Sequence, residues 1–401
     1  MFTRHYPHWP PGVPKSLPVP DTSLYYNLEV SARRYPDKAA ISYYGTDISY
    51  AELQRSAEAL AGYLQRACGV GKGDRVLLYT QNSPQFIIGY YAILRADAVV
   101  VPVNPMNKRD ELAHYIEDSD ARTAICTQEV FPEIEPHLGK GLAHCVLGAY
   151  SDYLREATDL NVPDFVRAPR VAAVNWNQAL AAGQLPGPHT ARREDLAVLP
   201  YTSGTTGRPK GTMLSHGNLL FTSTGGCAWI QSSSEVVALG VLPLFHVTGM
   251  QGNMNIPIQL GGTTVLMTRW DRDMAGELIQ RCRVTGITGI TTMIVDFLAN
   301  PDLAKYDLSS VIRIGGGGAS MPEAVAAKLQ ERIGLPFLEG YGLTETTAPS
   351  HANPPQRPKR QCAGIPYFDT DARVVDPARF KELGANEVGE LITHGPQVFH
   401  G

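Results

Sequence analysis

The sequence lacks several features that would assign a protein to a membrane, secreted or metal-binding class. It has no apolar run near 20 residues, the length that a membrane-spanning helix needs. Its first residues, His5 to Pro11, have no apolar core of the kind found in signal peptides. The six cysteines are scattered, with no Cys-x-x-Cys pair and no cluster of histidines nearby. This spacing predicts reduced thiols in a cytoplasmic protein, not disulfides or zinc ligands.

A strong charge of either sign is also missing. The chain carries 35 Lys and Arg against 39 Asp and Glu, a net charge of −4. That balance gives no reason to expect nucleic acid or an anionic membrane as a partner. With 401 residues, 43% of them apolar, the chain can bury a large core as one big domain or as two to three smaller ones.

Helical and apolar stretches alternate through most of the chain. Tyr50 to Arg66 has the spacing of an amphipathic helix, and Arg75 to Tyr79 that of a buried strand. This alternation predicts an α/β fold with a parallel sheet covered by helices. From about Ala348 the pattern changes to short strands and turns. We therefore predict an α/β core over residues 1–347 and a small β-rich subdomain over residues 348–401.

The most informative segment, Thr202 to Gly211, reads Thr-Ser-Gly-Thr-Thr-Gly-Arg-Pro-Lys-Gly. It combines three glycines, four hydroxyl side chains and a lysine between two apolar segments. Glycine allows backbone conformations in which several N–H groups point towards one anion. Such N–H groups, together with a lysine, are typical of a phosphate-binding loop. The Walker spacing is absent because Arg208 and Pro209 separate Gly207 from the lysine. The alternative is a Ser/Thr/Gly-rich surface linker, which seldom ends in Pro-Lys-Gly. The predicted phosphate-binding residues are Thr202, Ser203, Gly204, Thr205, Thr206, Gly207 and Lys210.

This loop resembles, at every fixed position, the signature of the adenylate-forming (AMP-binding) enzymes. That superfamily includes acyl-CoA synthetases, aryl-CoA ligases, luciferases and peptide-synthetase adenylation domains. The resemblance covers the chain from about Tyr50 to Gly401. It implies two similar, mainly parallel sheets layered with helices, plus a small β-rich subdomain. It also implies ATP and Mg²⁺ as cofactors, with CoA as a co-substrate.

A second motif, Glu339-Gly-Tyr-Gly-Leu-Thr-Glu, supports the same resemblance. The resemblance implies that Tyr341 stacks on adenine, Thr344 contacts the α-phosphate and Glu345 binds Mg²⁺. Thr202 is implied as the other protein group near the metal. A helix cap would explain Thr344 and Glu345 but not the preceding Gly-Tyr-Gly. The remaining nucleotide-binding residues of this motif are Glu339, Gly340 and Gly342.

Two further strand-to-loop junctions complete the predicted site. By resemblance, the backbone of Gly316, Gly317, Gly318 and Ala319 lies against adenine and the acyl group, although four glycines could mark only a tight turn. His246 is predicted to position the substrate carboxylate in the acyl pocket without transferring a proton. No aspartate lies within residues 236–260 to pair with an ammonium group, so an amino acid substrate is disfavoured. The predicted catalytic set is Lys210, Thr344, Glu345 and His246.

The resemblance therefore implies an acyl-CoA synthetase core that converts a carboxylic acid, of medium or long chain, to acyl-AMP and then to its CoA thioester. An aryl-CoA ligase, a ligase that loads a carrier protein and a nucleotide-binding module without catalysis stay open as alternatives. So do a homodimer and peripheral membrane contact. Related enzymes continue into a C-terminal domain that carries a further lysine and is absent from this sequence. We therefore expect weak or no activity from the 401 residues alone.

Overall fold

The computed structural model describes residues 3–202 and 207–401. It has an α/β fold built on two mixed, mostly parallel sheets, with two further sheets of two strands each. The strands are β1 (Ala39–Tyr43), β2 (Thr46–Ser49), β3 (Arg75–Tyr79), β4 (Val99–Val103), β5 (Thr123–Thr127), β6 (His144–Gly148), β7 (Leu196–Val198), β8 (Tyr201–Thr202), β9 (Lys210–Gly211), β10 (Leu214–Ser215), β11 (Val237–Gly240), β12 (Thr263–Leu266), β13 (Gly286–Gly289), β14 (Arg313–Gly316), β15 (Phe337–Tyr341), β16 (His351–Ala352), β17 (Ile365–Pro366), β18 (Asp371–Val375) and β19 (Glu390–His394).

Helices cover the sheets. They are α1 (Tyr25–Arg34), α2 (Tyr50–Arg66), α3 (Pro84–Arg95), α4 (Arg109–Ser119), α5 (Phe131–Ile134), α6 (Asp164–Arg167), α7 (Trp176–Ala181), α8 (His216–Ile230), α9 (Val247–Gly249), α10 (Ile256–Leu260), α11 (Arg272–Cys282), α12 (Thr291–Leu298) and α13 (Glu323–Ile333). A π-helical stretch, Met250–Asn255, joins α9 to α10. None of the helices in the described ranges is long and apolar enough to cross a membrane.

The first sheet has six strands in the order β10-β7-β4-β3-β5-β6, and only the β10–β7 pair is antiparallel. Both of its faces are buried: Val76 and Val100 contribute to one apolar cluster, while Leu77 and Val99 contribute to another. Strands buried on both faces are typical of parallel sheets between helices. The Ser49 and Ser83 hydroxyls cap the N-termini of α2 and α3; α3 packs on this sheet, and α2 packs on α3.

The second sheet has nine strands in the order β17-β16-β15-β14-β13-β11-β12-β1-β2. Its centre, from β15 to β1, is parallel, and its edges are antiparallel. The predicted α/β fold with two mainly parallel sheets is therefore confirmed. Of the strands after Ala348, β16 and β17 lie on the edge of this sheet, and β18 and β19 form a separate pair. The predicted boundary between residues 347 and 348 stays a prediction.

The side chain of His216, at the start of α8, is hydrogen-bonded to the backbone at the start of α1. The Leu24 N–H donates to Nδ1 of His216 at 3.0 Å, which requires a neutral imidazole. His216 is 1% exposed, and this burial lowers its pKa to about 4. The neutral ring thus holds two segments together that are almost 200 positions apart in the chain.

The depressed pKa of His216 predicts acid-sensitive stability. The unfolded chain binds a proton at His216 below about pH 6.5, whereas the folded chain does so only near pH 4. The contribution of the neutral ring to the free energy of unfolding is therefore complete above pH 6.5 and is lost as the pH falls towards 4. We expect the free energy of unfolding, measured in urea between pH 8 and pH 5, to fall less steeply in His216→Gln than in the wild type. Equal slopes in the two proteins, after comparison at pH 8, would remove His216 as the cause.

Candidate functional site

The predicted phosphate loop closes a two-stranded hairpin at the edge of a large cleft. Thr202 on β8 pairs with Lys210 on β9, so both ends of the loop are fixed although Ser203, Gly204, Thr205 and Thr206 lie outside the described residues. Gly207, at the tip, has a φ of +113°, which a residue with a side chain rarely adopts. The exposed Lys210 ammonium lines the cleft.

The cleft has a volume of about 1,100 Å³ and is lined by residues from six separate segments of the chain, within 202–212, 242–249, 290, 317–318, 342–348 and 399–401. It is large enough for a ligand the size of a nucleotide. Of the predicted site residues, it is lined by Thr202, Lys210, His246, Gly317, Gly318, Gly342, Thr344 and Glu345. The whole predicted catalytic set therefore lies around one space.

A second, apolar cavity of about 260 Å³ adjoins the cleft. The two spaces share lining residues, among them Gly317, Gly318 and Gly342. Gly316, Glu339, Gly340 and Tyr341, predicted to bind the nucleotide, line this cavity instead of the cleft. Ala319 lines neither. We call the larger space the cleft and the smaller one the acyl cavity.

The glycines at the junction are required by backbone spacing. A Cβ on Gly316 would lie 1.8 Å from the carbonyl oxygen of Gly289 on the neighbouring strand. A Cβ on Gly317 would lie 2.5 Å from the carbonyl oxygen of Gly340. Gly318 has a φ of +84°, in the left-handed region. These glycines allow three chain segments to pack closely where the two spaces meet. They therefore do more than form a tight turn.

His246 caps the short helix α9 and faces the cleft, with its ring 4.5 Å from that of Phe245. Surrounding protein lowers the pKa of the imidazole, so the ring is neutral at pH 7. A neutral ring can accept or donate a hydrogen bond to a bound acid without a charge of its own. Buried Asn82 fixes this segment: its Nδ2 donates to Leu242 O at 3.0 Å, and its Oδ1 accepts from Leu244 N at 2.9 Å.

The C-terminal segment, within the predicted β-rich subdomain, forms a wall of the cleft. Phe399 and Gly401 line the cleft, and the Phe399 N–H donates to Glu345 O at 2.8 Å. Gly401 O accepts from Met213 N at 2.9 Å, close to the phosphate loop. Neither Asn82 nor this segment carries a local sequence motif that would have revealed its position.

Glu345 lies in the 3₁₀ turn Thr344–Thr346 and is half-buried at the cleft wall. No ion pair between the described residues includes Glu345, so its carboxylate is available. Groups of three or more His, Cys, Asp or Glu that could hold a metal alone are absent from the described ranges. Mg²⁺ commonly takes one or two carboxylates and completes its shell with water and substrate phosphates. Glu345 with the Thr202 hydroxyl fits that requirement.

Comparison with known families decides the affiliation. A family model described as "AMP-binding enzyme" matches residues 28–401, nearly the whole chain. The chain belongs to the AMP-binding enzyme family. It is 33% identical to a long-chain-fatty-acid–CoA ligase of Bacillus subtilis, over 98% of this chain and 72% of the relative. It is also 33% identical to a feruloyl-CoA synthase of an Amycolatopsis species, over 92% of this chain and 69% of the relative.

Solved structures of CoA ligases share the fold of this AMP-binding protein. A long-chain-fatty-acid-CoA ligase (FadD1) from Archaeoglobus fulgidus superposes with a TM-score of 0.84 at 25% identity, covering 98% of this chain and 78% of that one. ATP-bound MatB from Rhodopseudomonas palustris has a TM-score of 0.83 at 28% identity, covering 95% and 72%. The predicted membership of the adenylate-forming acid–thiol ligase family is thereby confirmed. The roles of the individual site residues stay predictions.

Substitution of Lys210 and of Glu345 tests whether these two residues act on bound phosphates in the cleft. Because each offers a charge to bound phosphates or their metal, we expect Lys210→Ala and Glu345→Gln to lower carboxylate-dependent ATP–pyrophosphate exchange by about 100-fold or more, the scale for preorganised charge stabilisation. Glu323→Gln, at the exposed start of α13, is the matched control and should keep the wild-type rate. Wild-type exchange in the first two variants, with unchanged unfolding midpoints, would contradict their assignment.

Proposed function

We propose that this chain is the adenylating core of an acyl-CoA ligase. The observation that carries the proposal is the junction of a polar, nucleotide-sized cleft with an apolar cavity. An acid with its tail in the acyl cavity would have its carboxylate at Gly317 and Gly318, where the cavity meets the cleft that His246 and Lys210 also line. That arrangement brings two reactants together, which can supply most of the rate enhancement of a group transfer.

In the proposed reaction a carboxylate oxygen attacks the α-phosphorus of ATP, and the bond to pyrophosphate breaks. The thiolate of CoA then attacks the acyl carbon and releases AMP. Lys210 and Thr344 would hold the phosphates, His246 would orient the carboxylate, and Tyr341 offers an exposed ring for adenine. Glu345 and Thr202 would hold Mg²⁺, whose positive charge would offset that of the phosphates.

The size of the acyl cavity favours a compact substrate. Its volume of about 260 Å³ lies just below the range of about 300–1,000 Å³ that is usual for small-molecule sites. Of the acids that the sequence suggested, a medium-length chain or a single aromatic ring suits this space better than a long chain. A cytoplasmic location and a homodimer remain part of the proposal.

Pyrophosphate exchange in the full-length protein tests this function. The acids should run from acetate through long fatty acids to benzoate and cinnamate. We expect exchange that peaks at a medium length or with an aryl acid. Absence of exchange with every acid, despite ATP binding, would favour a nucleotide-binding module. Exchange followed by transfer to a carrier protein and not to CoA would favour the carrier-loading alternative.

Gly286 allows the length of the acyl cavity to be tested separately. It lines the cavity at the start of β13, and a Cβ there would meet nothing within 4 Å. Gly286→Leu should therefore fill the far end, shifting the preferred acid towards butyrate and leaving exchange with short acids intact. The control Gly71→Leu, at an exposed position outside both spaces, should keep the wild-type preference. An unchanged preference in Gly286→Leu would contradict the acyl assignment of this cavity.

A further inference from the structure

One cation lies in the otherwise mostly apolar wall of the acyl cavity. Three adjacent parallel strands contribute residues to that wall. On the face of the sheet that carries Arg313 they are Gly286 and Thr288 on β13, Arg313 and Gly315 on β14, and Leu338 and Gly340 on β15. Arg313 is the charged side chain of this set, and its neighbours across the strands are glycine or apolar.

The strand register places Arg313 at the end of the cavity farthest from the cleft. Arg313 is opposite Gly286, at the start of both strands, whereas Gly316 is opposite Gly289, where both strands end at the cleft. Three residues of strand separate Arg313 from Gly316, a distance of about 10 Å. A molecule extending along these strands from the reaction centre therefore ends at the guanidinium.

The protein satisfies little of the hydrogen-bonding capacity of Arg313. Its Nη2 donates to Ile230 O, at the end of α8, at 3.0 Å. A guanidinium has five N–H donors, and this is the side-chain hydrogen bond found for it in the described chain. None of the ion pairs formed by the described residues includes Arg313. Burial also lowers its pKa, as expected for a cation without a counterion.

The carboxylate of the other charged residue lining the cavity is already engaged. This residue, Glu339, is opposite Gly316 in register, at the end of the cavity nearer the cleft. One of its carboxylate oxygens accepts from Gln361 N at 2.9 Å, and the other accepts from Met321 N at 3.4 Å. The charge of Arg313 thus remains without a carboxylate partner, while the space in front of the facing Gly286 is open.

We propose that the acid activated by this chain carries a second carboxylate, which Arg313 binds at the far end of the acyl cavity. This inference rests on the proposed function, since it assigns the substrate class of the same site. A carboxylate matches the planar fork of a guanidinium with two parallel hydrogen bonds. A plain alkyl tail would instead displace water from the cation and offer it no partner, which is costly. Capping of α8 explains the bond to Ile230 but not the position of the remaining donors in a substrate cavity.

The experiment compares dicarboxylic acids with monocarboxylic acids of equal length. Nonanedioate is matched with nonanoate, and 4-carboxycinnamate with cinnamate, in pyrophosphate exchange by the full-length protein. We expect kcat/KM to favour each diacid by about 10-fold or more, since hydrogen bonds to charged groups are the stronger class. Arg313→Leu should reverse that preference, chiefly by raising KM for the diacid and lowering it for the monoacid.

Arg332→Leu is the matched control. Arg332 Nη1 also donates to a carbonyl at the end of a helix, that of Leu298 at 3.3 Å, but it lines neither space. The Arg332→Leu substitution should leave the ratio of kcat/KM for the diacid to kcat/KM for the monoacid unchanged. A wild type that prefers the monoacids, or an Arg313→Leu variant with the wild-type ratio, would overturn the proposal.

Calorimetric binding of the same acids in the presence of AMP separates this proposal from the proposed function. Loss of exchange with every acid would reject the ligase assignment, yet diacid binding that weakens about 10-fold or more in Arg313→Leu would still support Arg313 as its ligand. Equal binding of diacid and monoacid to the wild type would overturn the role of Arg313 even if exchange were robust.

Discussion

The close pairing of β13 with β14 is the constraint on which the site depends. At the ends of these strands the backbone of Gly289 approaches Gly316 so closely that only hydrogen fits at the latter position. The chain then turns through Gly317 and Gly318, where the cleft and the acyl cavity meet. A side chain here would separate the strands and narrow the passage between the two spaces. The same pairing sets Arg313 three residues back along the cavity.

Much of the fold and of the cleft could be predicted from the sequence. Helices such as α13 and strands such as β3 follow from local periodicity, because the packing that buries them repeats at a fixed spacing. The Thr202 to Gly211 loop and the turn at Thr344 and Glu345 have compact motifs whose residues act together locally. The structure brings Thr202 and Lys210 from the first motif to the same cleft as Thr344 and Glu345.

The rest depended on contacts between distant segments, which local patterns do not encode. Arg313 reads as an ordinary polar residue beginning an apolar strand, and only the strand register shows that it faces a cavity. Asn82 reads as a loop residue, yet it fixes the segment before His246 from the other sheet. A hydrogen bond from the Phe399 N–H to the backbone oxygen of Glu345 positions Phe399 at the cleft. Tertiary geometry decides each of these positions.

The first hairpin of the chain completes the second sheet, and this has a consequence for synthesis on the ribosome. Ile41 on β1 pairs with Thr264 on β12, so the hairpin of β1 and β2 has no neighbouring strand until more than half of the chain has been made. Pairing over such a separation slows folding, and an unpaired apolar strand edge is prone to aggregation. Chaperone dependence in the cell should therefore be concentrated in residues 39–49, none of which lines the cleft.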